Sequence, residues 1–189
     1  MPVHAVRHRL LAVVLGLISL ALAPPAVAGI VVTREFKSAA LNRSWTYAVY
    51  LPTGYDASNL RYPALYLLHG SGGNLYQWVN QGRIQQTADA LIMGGDIPPT
   101  VIVMPDAGTS WFVDRKEKME TAVITELIPD VEKSFRVLTS REGRLVGGLS
   151  MGGYGAMRFA LKYPEMFAAA VLLSPAIYNP EPPANSSAR

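Results

Sequence analysis

Gly148-Leu149-Ser150-Met151-Gly152 is a G-x-S-x-G pentapeptide, the pattern a nucleophilic serine needs when it sits on a sharp turn from strand to helix. Side chains flanking so tight a turn would clash, hence glycine on both sides. The turn pushes Ser150 outward and leaves the Met151 N–H at the start of the following helix. Unpaired amides and the helix dipole there favour a developing oxyanion. A second donor is expected from a glycine-rich turn after an earlier strand. His69-Gly70-Ser71-Gly72-Gly73 lies in that place, with the Ser71 N–H as the candidate. A plain loop or a phosphate cradle are the competing readings of this turn, but its glycines lack the spacing and the lysine of nucleotide-binding loops. Ser150 as nucleophile, facing the Ser71 and Met151 amides, would be equipment for acyl transfer.

The rest of the composition narrows the chemistry. The 189 residues contain no cysteine and three histidines, His4, His8 and His69. Thiol nucleophiles, disulfides and thiolate metal sites are excluded together. Two of the histidines fall in a basic N-terminal leader, so a histidine metal cluster is untenable and neither metal nor organic cofactor is expected. The formal charge of +3 and the pI near 9.2 include Arg7 and Arg9 of that leader. The remainder is almost neutral and offers nucleic acid no electrostatic footprint.

Several elements must position the two turns. Residues 30–36 and 45–51 are β-rich, and Trp45, Tyr47, Val49 and Leu51 alternate as in a half-buried strand, which predicts an N-terminal antiparallel meander. Residues 64–68, 100–104, 144–149 and 168–173 are short apolar runs of the buried-strand type. Residues 84–92 carry apolar positions at helical spacing before a Gly94-Gly95 stop. Residues 119–135 do so with an interruption at Pro129, and residues 151–163 read as a further helix. Strands alternating with helices predict an α/β fold, a mostly parallel sheet with helices on both faces.

The ends read differently. A basic start at residues 7–9, an uncharged apolar run over residues 10–23 and the small-x-small triplet Ala26-Val27-Ala28 before Gly29 predict a signal peptide over residues 1–28. Export to the periplasm or the exterior follows, with no membrane partner after cleavage. The folded domain is expected over residues 29–177, and residues 178–189, rich in Pro, Asn and Ser, are expected to be disordered.

Four segments carry a family resemblance: residues 67–73, residues 103–108 with Ser110-Trp111-Phe112, Leu127-Ile128-Pro129, and residues 147–153. Over residues 47–176 the chain resembles the putative-esterase family of α/β-hydrolases, which includes esterase D (S-formylglutathione hydrolase), feruloyl and acetyl xylan esterases, and mycolyltransferases. The resemblance implies Ser150 as nucleophile, the Ser71 and Met151 amides as oxyanion hole, and hydrolysis of a small-molecule or polysaccharide-linked ester through an acyl-enzyme without a cofactor. An acyltransferase sharing that intermediate, or a binding domain without catalysis, are the alternatives.

The chain departs from these relatives after the nucleophile. Such enzymes carry Asp or Glu and then His on loops that follow the serine. The 39 residues after Ser150 hold neither Asp nor His, and only Glu165 and Glu181 are acidic. Neither stands in the expected loop. A chain cut before the last strands, missing both triad partners and inactive, is the expectation, and the final strand would then present an apolar edge. His69 is read as structural. Asp106 and Asp114 are read as loop or cap acids, and Trp111 and Phe112 as core cover rather than pocket lining.

Overall fold

The computed structural model describes residues 28–179, 181, 182, 184 and 185. The leader before Ala28 and residues 180, 183 and 186–189 of the expected disordered tail lie outside the described residues. Six strands form one sheet: β1 (Ile30–Ser38), β2 (Arg43–Leu51), β3 (Ala64–Leu68), β4 (Val101–Pro105), β5 (Arg144–Leu149) and β6 (Ala169–Leu173). Their order is β1-β2-β4-β3-β5-β6. The β4-β3, β3-β5 and β5-β6 pairs are parallel, while β1-β2 and β2-β4 are antiparallel. The N-terminal strands are therefore a hairpin joined sideways to a parallel sheet, and both candidate turns follow the C-terminal ends of neighbouring strands, β3 and β5.

Helices cover both faces. On one lie α1 (Gln77–Asn80) and α2 (Ile84–Gly94), packed over Ala48, Tyr50, Leu67, Ile102 and Met104. Gly95, in the left-handed region at φ 78°, ends α2. On the other face lie α3 (Met119–Ala122), α4 (Ile128–Ser134) and α5 (Met151–Lys162), packed over Tyr47, Val49, Tyr66, Leu68, Val103 and Val146. Among the described residues no helix is long and apolar enough to cross a membrane.

Two expectations change. β2 is buried on both faces, with Ala48 and Tyr50 as inaccessible as Tyr47 and Val49, because α2 covers the side that alternation assigns to water. The helix expected over residues 119–135 passes through a π turn at Val123–Leu127, which lies just before Pro129, whose missing N–H removes one bond from the helix. The four-residue α1 was too short to announce itself by periodicity. β6, an apolar run of the buried-strand type, lies at the edge of the sheet and presents the exposed apolar edge expected of the final strand, with Val171, Leu172 and Leu173 each 39–48% accessible. At the start of the tail the exposed Tyr178 ring lies 5.9 Å from that of Trp111.

Candidate active site

β5 ends at Leu149 and α5 begins at Met151, so the whole reversal falls on Ser150. Its backbone stands at φ 55° and ψ −113°, outside the regions that side-chain-bearing residues prefer, at a cost of about 1–3 kcal/mol. Packing and hydrogen bonds hold it there. The Ser150 N–H donates to the Leu173 carbonyl at 3.0 Å, and the Ser150 carbonyl accepts from the Tyr154 and Ala176 amides, both at 3.0 Å. The end of β6 is therefore stitched to the nucleophile turn.

Both flanking glycines are required by close approach. A Cβ on Gly148 would stand 2.4 Å from the Gly152 carbonyl, and one on Gly152 would stand 2.3 Å from the Leu68 carbonyl oxygen and 2.6 Å from that of His69. The first contact lets helix follow strand without a loop, and the second presses α5 onto the end of β3. Ser150 is left partly accessible, and a methyl group placed on Gly70 would stand 3.8 Å from its Cβ. The two turns that the sequence pairs are thus adjacent.

Neither the Ser71 nor the Met151 N–H has an acceptor among the described residues. Met151 is buried as the first residue of α5, whose leading amides have no partner within the helix, and Ser71 is exposed on its turn. The turn is pinned from within by the Gly73 N–H on the Gly70 carbonyl and from α1 by Gln77, whose Oε1 accepts the Gly70 N–H at 2.8 Å. Sequence reasoning missed Gln77, because nothing local marks a glutamine seven residues on as the strut of a glycine turn.

His69 is a second strut. Its ring is 1% accessible and packs edge-on against Phe112. Nε2 accepts the Ala107 N–H at 2.9 Å, which places the ring proton on Nδ1, donated to the Gly70 carbonyl at 2.8 Å. Burial pushes its pKa down, outweighing the upward pull of the Gly70 carbonyl and Asp106, so the ring is neutral at pH 7. With both nitrogens engaged it cannot take a proton from Ser150. Asp106 accepts the Gly108 N–H and Asp114 the Thr121 N–H, turn and cap duties away from the serine. Phe112 is fully buried and Trp111 nearly so.

Among the described residues three hollows lie near the site, and the one of about 160 Å³ is lined by Trp111, Tyr154, Ala176 and Tyr178, so Trp111 is pocket lining as well as core cover. Another, of about 170 Å³, is lined by Gln77, Trp78, Gln81, Gly82 and Leu149, beside the nucleophile turn. A larger one of about 560 Å³ opens beyond β4 among Arg43, Asp106, Ser110, Arg115 and Lys116. Its lining includes none of Ser71, Ser150 and Met151, so volume alone does not make it the place of reaction.

Comparison with known proteins agrees with this geometry. Residues 38–185 match the family model described as "Putative esterase". An endo-1,4-beta-xylanase/feruloyl esterase of Xylanibacter ruminicola is 38% identical over 156 residues, covering 77% of this chain and 22% of that protein. An acetyl esterase of Caldicellulosiruptor saccharolyticus is 37% identical over 125 residues, covering 65% of this chain and 44% of that one. A solved ferulic acid esterase superposes with a TM-score of 0.77 at 34% identity, over 85% of this chain and 65% of its own. The chain thus spans less than half the length of these curated relatives and about two thirds of that solved structure. With strand order, glycine-flanked serine and family model in agreement, the chain belongs to the Putative esterase family of α/β-hydrolases.

Proposed function

We propose that Ser150 is the acylated residue of an exported carboxylesterase, with the Ser71 and Met151 amides receiving the oxyanion, and that these 189 residues alone complete the reaction only at a trace rate. The observation that carries the reading is the strained backbone of Ser150, held opposite the Gly70 turn by packing that has no other evident use. In the first step Oγ bonds to the ester carbonyl carbon, and the carbonyl π pair moves to oxygen, facing the two amides. The Oγ proton must leave, and it ends on the departing alkoxide as the alcohol. The pair on oxygen then re-forms the carbonyl as the C–O bond to the alcohol breaks; later water bonds to the acyl carbon, the C–Oγ bond breaks, and a water proton returns to Oγ, releasing the acid and restoring Ser150.

That proton needs an acceptor. Residues 151–189 contain no His or Asp, and His69 is committed, so the acceptor must come from outside residues 151–189 or from another chain. Removing the imidazole base from a serine hydrolase costs about 10⁶-fold in turnover. Acylation and deacylation both suffer, so an acyl group once attached persists. The names of the relatives favour acetyl or feruloyl esters, including those carried on polysaccharide. The leader pattern before Gly29 supports export.

The test is peptide mapping after incubation with p-nitrophenyl acetate at mildly alkaline pH, where hydroxide can act as base. Acetyl-Ser150 should accumulate in the wild-type chain, be missing from Ser150→Ala, and decay over hours. Acetyl groups confined to lysines, or turnover at an ordinary esterase rate of about 1–10³ s⁻¹, would contradict the proposal.

A further inference from the structure

Gly29, the residue that follows the small-x-small triplet, is buried although Ala28 before it is exposed. Two side chains one turn apart on α2 grip its backbone. Asp89 Oδ1 accepts the Gly29 N–H at 2.9 Å, and Gln85 Nε2 donates to the Gly29 carbonyl at 2.7 Å. The same Asp89 oxygen accepts the Tyr50 hydroxyl at 2.7 Å. Burial and the Asp89 bond push the Tyr50 phenol well above its usual range, so it keeps the proton it donates. A Cβ on residue 29 would stand 2.5 Å from Tyr50 Cε2 and 2.7 Å from both the Tyr50 hydroxyl and the Leu51 carbonyl oxygen. Only glycine fits this socket, and the residue there is the one that cleavage would make the first.

We infer that the Asp89–Gln85–Tyr50 cluster is a docking socket for the N-terminal ammonium created when an export peptidase cuts between Ala28 and Gly29. Water adds across that amide: hydroxyl goes to the Ala28 carbonyl carbon, the C–N bond breaks, and the Gly29 nitrogen takes the proton. An α-amino group has a pKa of about 7.7–8.0, so near neutral pH the new terminus binds a further proton and carries a full charge. The hydrogen bond between an amide and a carboxylate then becomes an ion pair, stronger in a partly buried setting. Cleavage so coupled to docking fixes the start of β1 against β2 and α2, on the face of the sheet away from α5. The inference rests on the export reading above and does not depend on Ser150.

The test uses the full chain, secreted by an exporting bacterial host, with its first residue identified by mass spectrometry and its terminal amine then titrated with N-hydroxysuccinimidyl acetate near neutral pH. Wild type should begin at Gly29, and its amine should react about tenfold more slowly, or slower still, than that of the Asp89→Asn protein. Gly29→Ala should be cut at the same bond yet react at the rate of a free peptide, because its Cβ cannot enter. A different first residue would overturn the cleavage on which the inference rests. A product starting at Gly29 that reacts as fast as a free peptide, or variants as protected as wild type, would overturn the socket and leave the cleavage standing.

Discussion

The two sides of Ser150 are built differently. Toward β3, the nucleophile turn meets a close-packed wall: Gly152 against the Leu68 and His69 carbonyls with no room for a methyl group, and His69 and Gln77 bracing the glycine turn. Toward β6, it meets a strand whose five residues are all exposed, tied to the turn by backbone bonds from Leu173 and Ala176. On the proposed reading the first side fixes the hydroxyl and would receive negative charge, while residues 151–189 hold neither His nor Asp. Placing a nucleophile and activating it would then be separable tasks, with the groups for the first among the described residues.

The contrast can be broken most forcefully at Gly152. Gly152→Ala puts a methyl group within contact-forbidden distance of two carbonyl oxygens, and should cost about 3 kcal/mol or more, roughly 6–12 °C in Tm, measured by thermal unfolding. An unchanged Tm would mean that α5 does not press on β3.

His69 comes next. His69→Leu leaves the Ala107 N–H without a partner and takes one of two donors from the Gly70 carbonyl, which keeps the Gly73 N–H, and should cost about 1–3 kcal/mol. It should also alter the pH dependence. Burial lowers the pKa of His69 in the folded chain, so between that value and about 6.5 the unfolded chain binds more protons. The contribution is complete above pH 6.5 and is lost as pH falls through the folded value. Denaturant titrations from pH 7 downward should show this loss in wild type and lack it in His69→Leu. A matching acid limb in both proteins would remove His69 from the account. Glu120, the buried carboxylate, does not mimic the effect near pH 6. Burial pushes Glu120 up, but bonds from Lys162, Arg158 and Tyr163 outweigh it, so its loss falls below the ordinary carboxylate range.

The smallest effect belongs to β6. Leu172→Ala should change stability by about 1 kcal/mol or less, because the side chain is already 39% accessible. A loss comparable to that of Gly152→Ala would show that this side is packed after all.

Legibility in the sequence followed the same divide. β3 and β5 could be read to the residue, β3 as an unbroken apolar run stopped at His69-Gly70, and β5, though thinned by Gly147 and Gly148, by the serine of the turn that ends it. The elbow was legible because sterics alone dictate its spacing. What escaped depended on partners distant in sequence. Gln77 has no local signature, the second face of β2 is buried only because α2 lies across it, and Asp89 meets Gly29 only through the sheet. For β6 the Ala-Val-Leu run marked a strand, and its exposure as an apolar edge followed from its place as the final strand rather than from the run itself.

The central claim, a hydroxyl positioned but lacking a base, is tested most directly by Ser150→Cys. The chain has no other cysteine, so a single thiol would sit at the α5 N-terminus, where amides and helix dipole lower a thiol pKa below its usual value of about 8.5. The pH profile of iodoacetamide alkylation should give a pKa below that value, with rapid acetylation of the thiol by p-nitrophenyl acetate and slow release. A thiol that titrates at or above 8.5, or that resists both reagents, would contradict the account.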